Sequence, residues 1–120
     1  MCLAIPVAVF FLAMGVFALA VPARVLELFG VTVETPDGRT EVRAVYGGFG
    51  VAVGVLLLVA LWTESIRDGV FVAVAFALCG MAGGRIASSL LGERPSIWPS
   101  WVFFGIELAL AGLLIAAALV

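Results

Sequence analysis

The chain has 120 residues, which is enough for one domain, and 65% of them are hydrophobic while only 12% are charged. Soluble domains usually contain about 45–50% apolar and about 25% charged residues, so this composition excludes a soluble globular protein and predicts a small integral membrane protein. The six basic residues are all arginine, histidine is absent and the formal net charge is −2, which argues against a nucleic-acid partner and removes the commonest haem and zinc ligand.

The first apolar segment, from Leu3 to Val21, contains no charged residue and predicts a membrane span over about 3–21. It lacks the basic start of a signal peptide and is longer than the usual apolar stretch of one, so we expect it to be retained. Pro22 suits a first helical position and Gly30 suits the residue just after a helix. These residues predict a short helix over about 22–29, whose apolar side chains place it at the membrane interface.

A polar stretch from Val31 to Thr40 comes next, with a turn predicted at Pro36 to Gly38 and a weak strand signal at Val31 to Val33. Three further segments are apolar and about 20 residues long, the length needed to cross a hydrocarbon core of about 30 Å. They predict spans over about 41–62, 69–91 and 100–119. The links between them are short, which makes consecutive helices antiparallel neighbours. The predicted fold class is therefore all-α: an integral membrane four-helix bundle that forms a single domain over 1–120.

The placement of arginine predicts the orientation of the bundle. We call the membrane face that holds the first and third connections side B. Side B holds most of the arginines, namely Arg24, Arg39, Arg43 and Arg94, whereas the opposite face holds Arg67. The excess of positive charge on cytoplasmic loops places side B in the cytoplasm and both termini outside.

Two charged residues lie inside predicted spans, at matching depths. Arg85 is six residues before Leu91, and Glu107 is six residues after Trp101. At about 1.5 Å per residue, both lie about 9 Å below side B. An unpaired charge at the centre of a span costs about 2.5–3.5 kcal/mol on insertion scales, so opposite charges on neighbouring antiparallel helices are expected to pair.

The start of the second span adds polar residues to the same end of the bundle. Glu41 and Arg43 lie at this start, and Tyr46 follows Arg43 by three residues on the same helix face. One hypothesis is that all three converge with Arg85 and Glu107 in a polar pocket that binds a ligand. The alternative is structural: buried Arg–Glu pairs often fix helix register, a helix start is often solvated, and tyrosine is common at membrane interfaces.

Small residues recur at helical spacing in the last three spans, which is typical of helices that pack closely in lipid. The plausible contact faces include Gly50 to Gly54 on the second span and Gly80 to Gly84 on the third. On the fourth span, Glu107 points away from the small residues Gly105 and Gly112, so that helix is expected to need protein on both sides.

The octapeptide from Glu41 to Gly48 resembles the Glu-Leu-Arg-Ala-x-Tyr-Gly-Gly signature of a family of small, uncharacterised bacterial four-span membrane proteins, described as a domain of unknown function. Pro22 to Leu26 resembles the Pro-x-x-x-Leu of that family, and Gly50 to Gly54 resembles its Gly-x-x-x-Gly. Gly84-Arg85 and Glu107 resemble a Gly-Arg and a Glu that follow in the same order. The resemblance implies a four-helix bundle in the bacterial cytoplasmic membrane and supplies no activity.

We expect a non-enzymatic accessory or scaffold subunit, without cofactor or metal, which packs with itself or with a larger membrane complex around a lipid. The main alternative is a small-molecule or proton-coupled carrier that uses Arg85 and Glu107 as its site. An enzyme that modifies lipids with Glu41 or Glu107 as a base ranks lowest, because no nucleophile or metal constellation accompanies these residues. A carrier predicts a water-filled route to Glu107, whereas a scaffold predicts a dry ion pair and an exposed face of small residues.

Overall fold

The structure is a computed structural model that describes residues 2–120, and these form five helices and no strand. The helices are α1 (Ala4–Ala20), α2 (Pro22–Glu27), α3 (Pro36–Trp62), α4 (Glu64–Leu90) and α5 (Ile97–Leu119). The all-α class is confirmed. Helices α3, α4 and α5 are long and apolar enough to cross a membrane, whereas α1 is apolar but has only 17 residues.

Helix α3 begins earlier than the apolar pattern predicts. Pro36 to Gly38 forms its first turn rather than a loop turn, and Val31 to Val33 forms no strand. The side-chain oxygen of Thr35 accepts a hydrogen bond of 2.9 Å from the backbone N–H of Gly38. The Thr35 side chain pairs with one of the free N–H groups at the helix start, and Pro36 has the φ of a first helical residue and no N–H to pair. These two features allow a polar segment to start the helix, and a hydropathy pattern does not include them.

Helix α4 also begins earlier, at Glu64 instead of residue 69, so that only Thr63 separates it from α3. Arg67 lies in the first turns of α4 and donates hydrogen bonds to the carbonyls of Ala60 and Leu61 at 3.1 and 2.8 Å. These carbonyls belong to the last turn of α3, where that of Ala60 also accepts from the N–H of Thr63 at 3.3 Å. Arg67 therefore fastens the tight reversal between the two helices.

Helix α2 ends at Glu27, two residues earlier than predicted, and a turn over residues 28–30 follows it, with the predicted glycine in the left-handed region. Gly30 has φ of 76°, and its N–H donates to the carbonyl of Glu27 while the N–H of Val31 donates to that of Leu26. This pair of bonds is the Schellman arrangement, in which glycine has no Cβ to clash. It fixes the position of Phe29, the residue just before the glycine.

The long helices pack as two hairpins. Helix α1 packs mainly against α3, helix α4 packs mainly against α5, and smaller α3–α4 and α1–α5 contacts join the pairs. The predicted Gly50 to Gly54 face lies directly on α1, since a Cβ at Gly54 would approach the Leu12 side chain to 2.6 Å. A Cβ at Gly80 or Gly84 would instead meet no described atom within 4 Å, so that predicted face is open in the single chain.

The core is concentrated at the end of the fold where Thr63 connects α3 to α4. It combines the first half of α1 with the last turns of α3, and the first half of α4 with the second half of α5. Phe71, Leu57, Leu78 and Leu114 are its largest fully buried apolar side chains. A second, smaller cluster of Ala18, Val25 and Val42 lies towards side B. The two hairpins are less closely joined between these clusters, and the candidate site lies there.

Candidate functional site

Arg85 of α4 and Glu107 of α5 form the ion pair that their equal depths predict. The Nε–H of Arg85 donates to Oε1 of Glu107 at 2.9 Å, and Nη2–H donates to Oε2 at 3.1 Å. Paired N–H donors on both oxygens of a carboxylate give the strongest ion-pair geometry available to these residue types. Within residues 2–120 both hydrogen bonds of Arg85 go to Glu107, rather than one going to Ser88 or Ser89.

The two partners differ in their access to the surface. The Glu107 side chain is 2% exposed, whereas that of Arg85 is 22% exposed. A buried carboxylate without a partner would be strongly destabilising, so the guanidinium is what allows Glu107 to lie in the bundle. The pair is neutral overall, and the part of it that other molecules can reach belongs to arginine.

Two phenylalanine rings pack against the guanidinium. Its central carbon lies 5.7 Å from the ring centroid of Phe29 and 5.9 Å from that of Phe103. The two centroids are 5.5 Å apart. Phe29 is fixed by the helix end at Gly30, and Phe103 lies one helical turn before Glu107. The ring faces attract the cation and hold it in place without adding charge.

These groups form one wall of a cavity of about 640 Å³ between the two hairpins. Its polar wall is Arg85 and Glu107, and Tyr46 lies on the opposite side on α3. The remaining lining is apolar and aromatic: Phe10, Phe11, Met14, Val25, Phe29, Ala44, Val45, Phe49, Gly50, Met81 and Phe103. Among residues 2–120, no three Asp, Glu or Cys side chains come close enough together to hold a metal ion. The site is a mainly apolar cavity, open on one side at the exposed Phe49 and Met81, with one neutralised ion pair and one tyrosine hydroxyl in its wall.

The octapeptide from Glu41 to Gly48 shapes the α3 wall of this cavity. From Arg43 to Gly48 the helix widens into a π-helical turn, and the N–H of Phe49 donates to the carbonyl of Ala44 five residues earlier. Such turns alter the direction of the side chains around them and are frequent at functional sites. Here Ala44, Val45 and Tyr46 lie on the cavity wall.

Of the five predicted polar residues, the structure brings three to the cavity, whereas Glu41 and Arg43 do not line it. The Nε–H of Arg43 donates to the carbonyl of Leu19 at 3.0 Å, because the last turn of α1 presents unpaired carbonyls that attract a cation. Glu41 lines an adjoining groove of about 610 Å³, which shares Val45 and Tyr46 with the cavity. Tyr46 is the one member of the group that joins Arg85 and Glu107 at the cavity.

The aromatic and methionine lining was not predicted from the sequence. Phe10, Phe49 and Met81 lie within helices that are apolar on every side, so the composition of these helices does not separate a cavity wall from an outer surface. Phe103 is an exception, because it precedes Glu107 by four residues and therefore shares its helix face. That spacing was the one available signal for an aromatic neighbour of the ion pair.

The chain belongs to the family described as a domain of unknown function (DUF4345), whose family model matches residues 2–118. The match spans nearly the whole chain and confirms the resemblance to an uncharacterised family. No curated protein and no solved structure matches the chain.

Proposed function

We propose that this DUF4345 member is a non-enzymatic four-span membrane protein that holds a lipid-like molecule in its cavity and packs with itself or with a larger membrane complex. The observation that carries this proposal is an apolar cavity of about 640 Å³ whose polar wall is already neutralised within the chain. Ligand pockets commonly have volumes of about 300–1,000 Å³. A molecule that enters this cavity meets mostly rings and thioethers, which is the surface an acyl or isoprenoid chain prefers.

The four-span arrangement rests on α1 as well as on the three longer helices. Its 17 apolar residues extend about 26 Å, close to the thickness of a hydrocarbon core, and it packs along α3. With side B in the cytoplasm of a bacterial cell, both termini lie outside the cytoplasmic membrane. The Arg85–Glu107 pair and the cavity then lie in the cytoplasmic half of the bilayer.

Cysteine labelling in spheroplasts tests this orientation. In a Cys79→Ser protein, a membrane-impermeant maleimide is expected to label Cys2 on intact spheroplasts, since both termini are outside. In a Cys2→Ser/Cys79→Ser background, Thr32→Cys lies in the first connection and is expected to react only after lysis. Labelling of Thr32→Cys on intact spheroplasts would contradict the orientation. If both Cys2 and Thr32→Cys react on intact spheroplasts, the two positions lie on the same side and α1 does not cross the membrane.

We expect contact with another membrane helix to use the outer faces of α4 and α5. The small residues of α4 are exposed as a continuous row, namely Ala73, Ala77, Gly80, Gly84 and Ala87. A Cβ at Gly105 or Gly112 of α5 would likewise meet no described atom within 4 Å. In lipid, small residues let the backbones of neighbouring helices approach closely, so these faces suit contact with another membrane helix.

A carrier is the second candidate, and the observation that favours it is that Glu107 lines the cavity. Its carboxylate is nevertheless held by both hydrogen bonds to Arg85 and is only 2% exposed. A carrier would have to break this pair in each cycle. Substrate exchange across the membrane of proteoliposomes that Glu107→Gln abolishes would favour the carrier. If the wild-type protein retains lipid but shows no substrate exchange, the holding function is favoured.

Filling the cavity should abolish ligand retention. Ala44 lies on the cavity wall, and Ala44→Phe would place a ring in the space of the ligand. We expect bound lipid to fall about tenfold or more relative to wild type, measured by native mass spectrometry of protein released from nanodiscs. Ala52→Phe is the matched control, because Ala52 is exposed on the same helix and does not line the cavity. Equal lipid retention in the two variants would rule out the cavity as the binding site.

A further inference from the structure

We propose that the molecule held in the cavity is uncharged and carries a carbonyl or ester oxygen that accepts a hydrogen bond from Arg85. This inference rests on the proposed lipid-holding function and specifies the chemistry of the ligand. It follows from the donors that the ion pair leaves free, from its net charge and from the aromatic surroundings.

Most of the free donors belong to Arg85, and the hydroxyl of Tyr46 adds one more on the α3 side of the cavity. A guanidinium has five N–H groups, and the two bonds to Glu107 use Nε–H and one Nη2–H. Both Nη1–H groups and the second Nη2–H make no hydrogen bond within residues 2–120. Arg85 is 22% exposed and lines the cavity, whereas Glu107 is 2% exposed. The wall formed by Arg85 and Glu107 therefore offers three donors and almost no acceptor, and the Tyr46 hydroxyl can also donate, so the cavity favours a ligand with an acceptor oxygen.

The charge balance selects against an ion. Arg85 and Glu107 already neutralise each other, so a carboxylate or phosphate in the cavity would add a negative charge beside Glu107 that no cation compensates. A cationic ligand would likewise leave one uncompensated positive charge beside the neutral pair. Burying an uncompensated charge among the phenylalanine rings of this cavity is unfavourable, whereas a neutral carbonyl gains a charge-assisted hydrogen bond without adding charge.

The aromatic lining suits the rest of such a ligand. Phe29 and Phe103 pack on the guanidinium, and further rings from α1 and α3 line the chamber beyond it. An alkyl chain or an unsaturated ring attached to the carbonyl would replace lipid or water against these surfaces. The assignment is thus a neutral lipid with a carbonyl end, such as an ester or a ketone.

A matched set of twelve-carbon probes tests the assignment. Radiolabelled methyl dodecanoate, dodecane, dodecanoate at alkaline pH and dodecyltrimethylammonium are equilibrated with wild-type protein in nanodiscs, and Ala44→Phe nanodiscs serve as the blank. We expect methyl dodecanoate to bind about tenfold more tightly than dodecane, as one hydrogen bond to a charged donor provides, and more tightly than either ion. An ester that binds no better than dodecane, or tighter binding of either ion, would overturn the assignment.

The variant Arg85→Met/Glu107→Leu provides the second measurement. It replaces both side chains by apolar ones and so removes the donors and the charges. The preference for methyl dodecanoate over dodecane is expected to disappear, while the affinity for dodecane stays within about twofold of the wild-type value. A preference that persists in this variant overturns the role of Arg85. If no probe binds wild type above the Ala44→Phe blank, the lipid-holding function itself fails, which separates that failure from a wrong head group.

Discussion

Removing one partner of the Arg85–Glu107 pair is expected to lower the free energy of unfolding by about 3–5 kcal/mol, because the remaining charge stays buried without compensation. Arg85→Ala should be the more severe change, since it leaves a carboxylate that is only 2% exposed, whereas Glu107→Ala leaves a guanidinium that is 22% exposed. The measurement is reversible unfolding of the purified protein in mixed micelles, with helicity as the signal.

Two double variants separate pairing from mere residue size. Arg85→Met/Glu107→Leu removes both charges and is expected to recover most of the lost stability, because well-packed apolar residues often replace a buried pair without loss. Arg85→Glu/Glu107→Arg should also be more stable than either single reversal. Arg94→Ala in the exposed connection before α5 is the single-charge control. If Arg85→Ala unfolds at the same point as Arg94→Ala, the pair does not stabilise the bundle.

Adding one methyl group at Gly15 is expected to separate the α1–α3 hairpin. A Cβ there would lie 2.6 Å from the backbone nitrogen of Val51 and 2.8 Å from the carbonyl oxygen of Gly47. Both atoms belong to the backbone of α3, so the clash cannot be relieved by rotating a side chain. We expect Gly15→Ala to lower the free energy of unfolding by about 1–3 kcal/mol, the usual effect of overpacking, in the same micelle assay.

Gly84→Ala is the matched control for this change. It makes the same substitution inside a long apolar helix, but a Cβ at Gly84 would meet no described atom within 4 Å. Alanine also favours the helix over glycine, so Gly84→Ala should leave the isolated protein as stable as wild type or more stable. The close approach of α1 and α3 would be refuted if Gly15→Ala and Gly84→Ala were equally stable.

Small-residue patterns predict helix contacts only in part, as the two glycine pairs of α3 and α4 show. Gly50 to Gly54 and Gly80 to Gly84 have the same spacing, yet the first pair packs on α1 and the second is open in the single chain. In a soluble protein, polar residues would mark the open face. Lipid is as apolar as the protein core, so membrane helices carry no such mark and the two faces look alike in sequence.

The sequence predicts the ion pair of the candidate site, because opposite charges at equal distances from one end of the helices are expected to meet. The distances of Arg85 and Glu107 from their helix ends predicted a contact that the structure contains. Depth did not place Glu41 and Arg43, because residues at the same end of a bundle can still point to different neighbours. Arg43 donates a hydrogen bond to the carbonyl of Leu19 in the last turn of α1. That the end of α1 lies beside Arg43 is known only from the fold.

The sequence by itself determined the apolar helices, the glycine turn after α2 and the pairing of Arg85 with Glu107, because these depend on local backbone chemistry and on the energy of a charge in an apolar medium. Only the tertiary structure decided that the two hairpins leave a cavity between them, that Phe29 and Phe103 pack on the guanidinium, and that Arg85 lines the cavity with donors still free. The physical reason is that these features depend on how uniformly apolar helices fit together laterally, and that fit arises from the shapes of many side chains rather than from polarity.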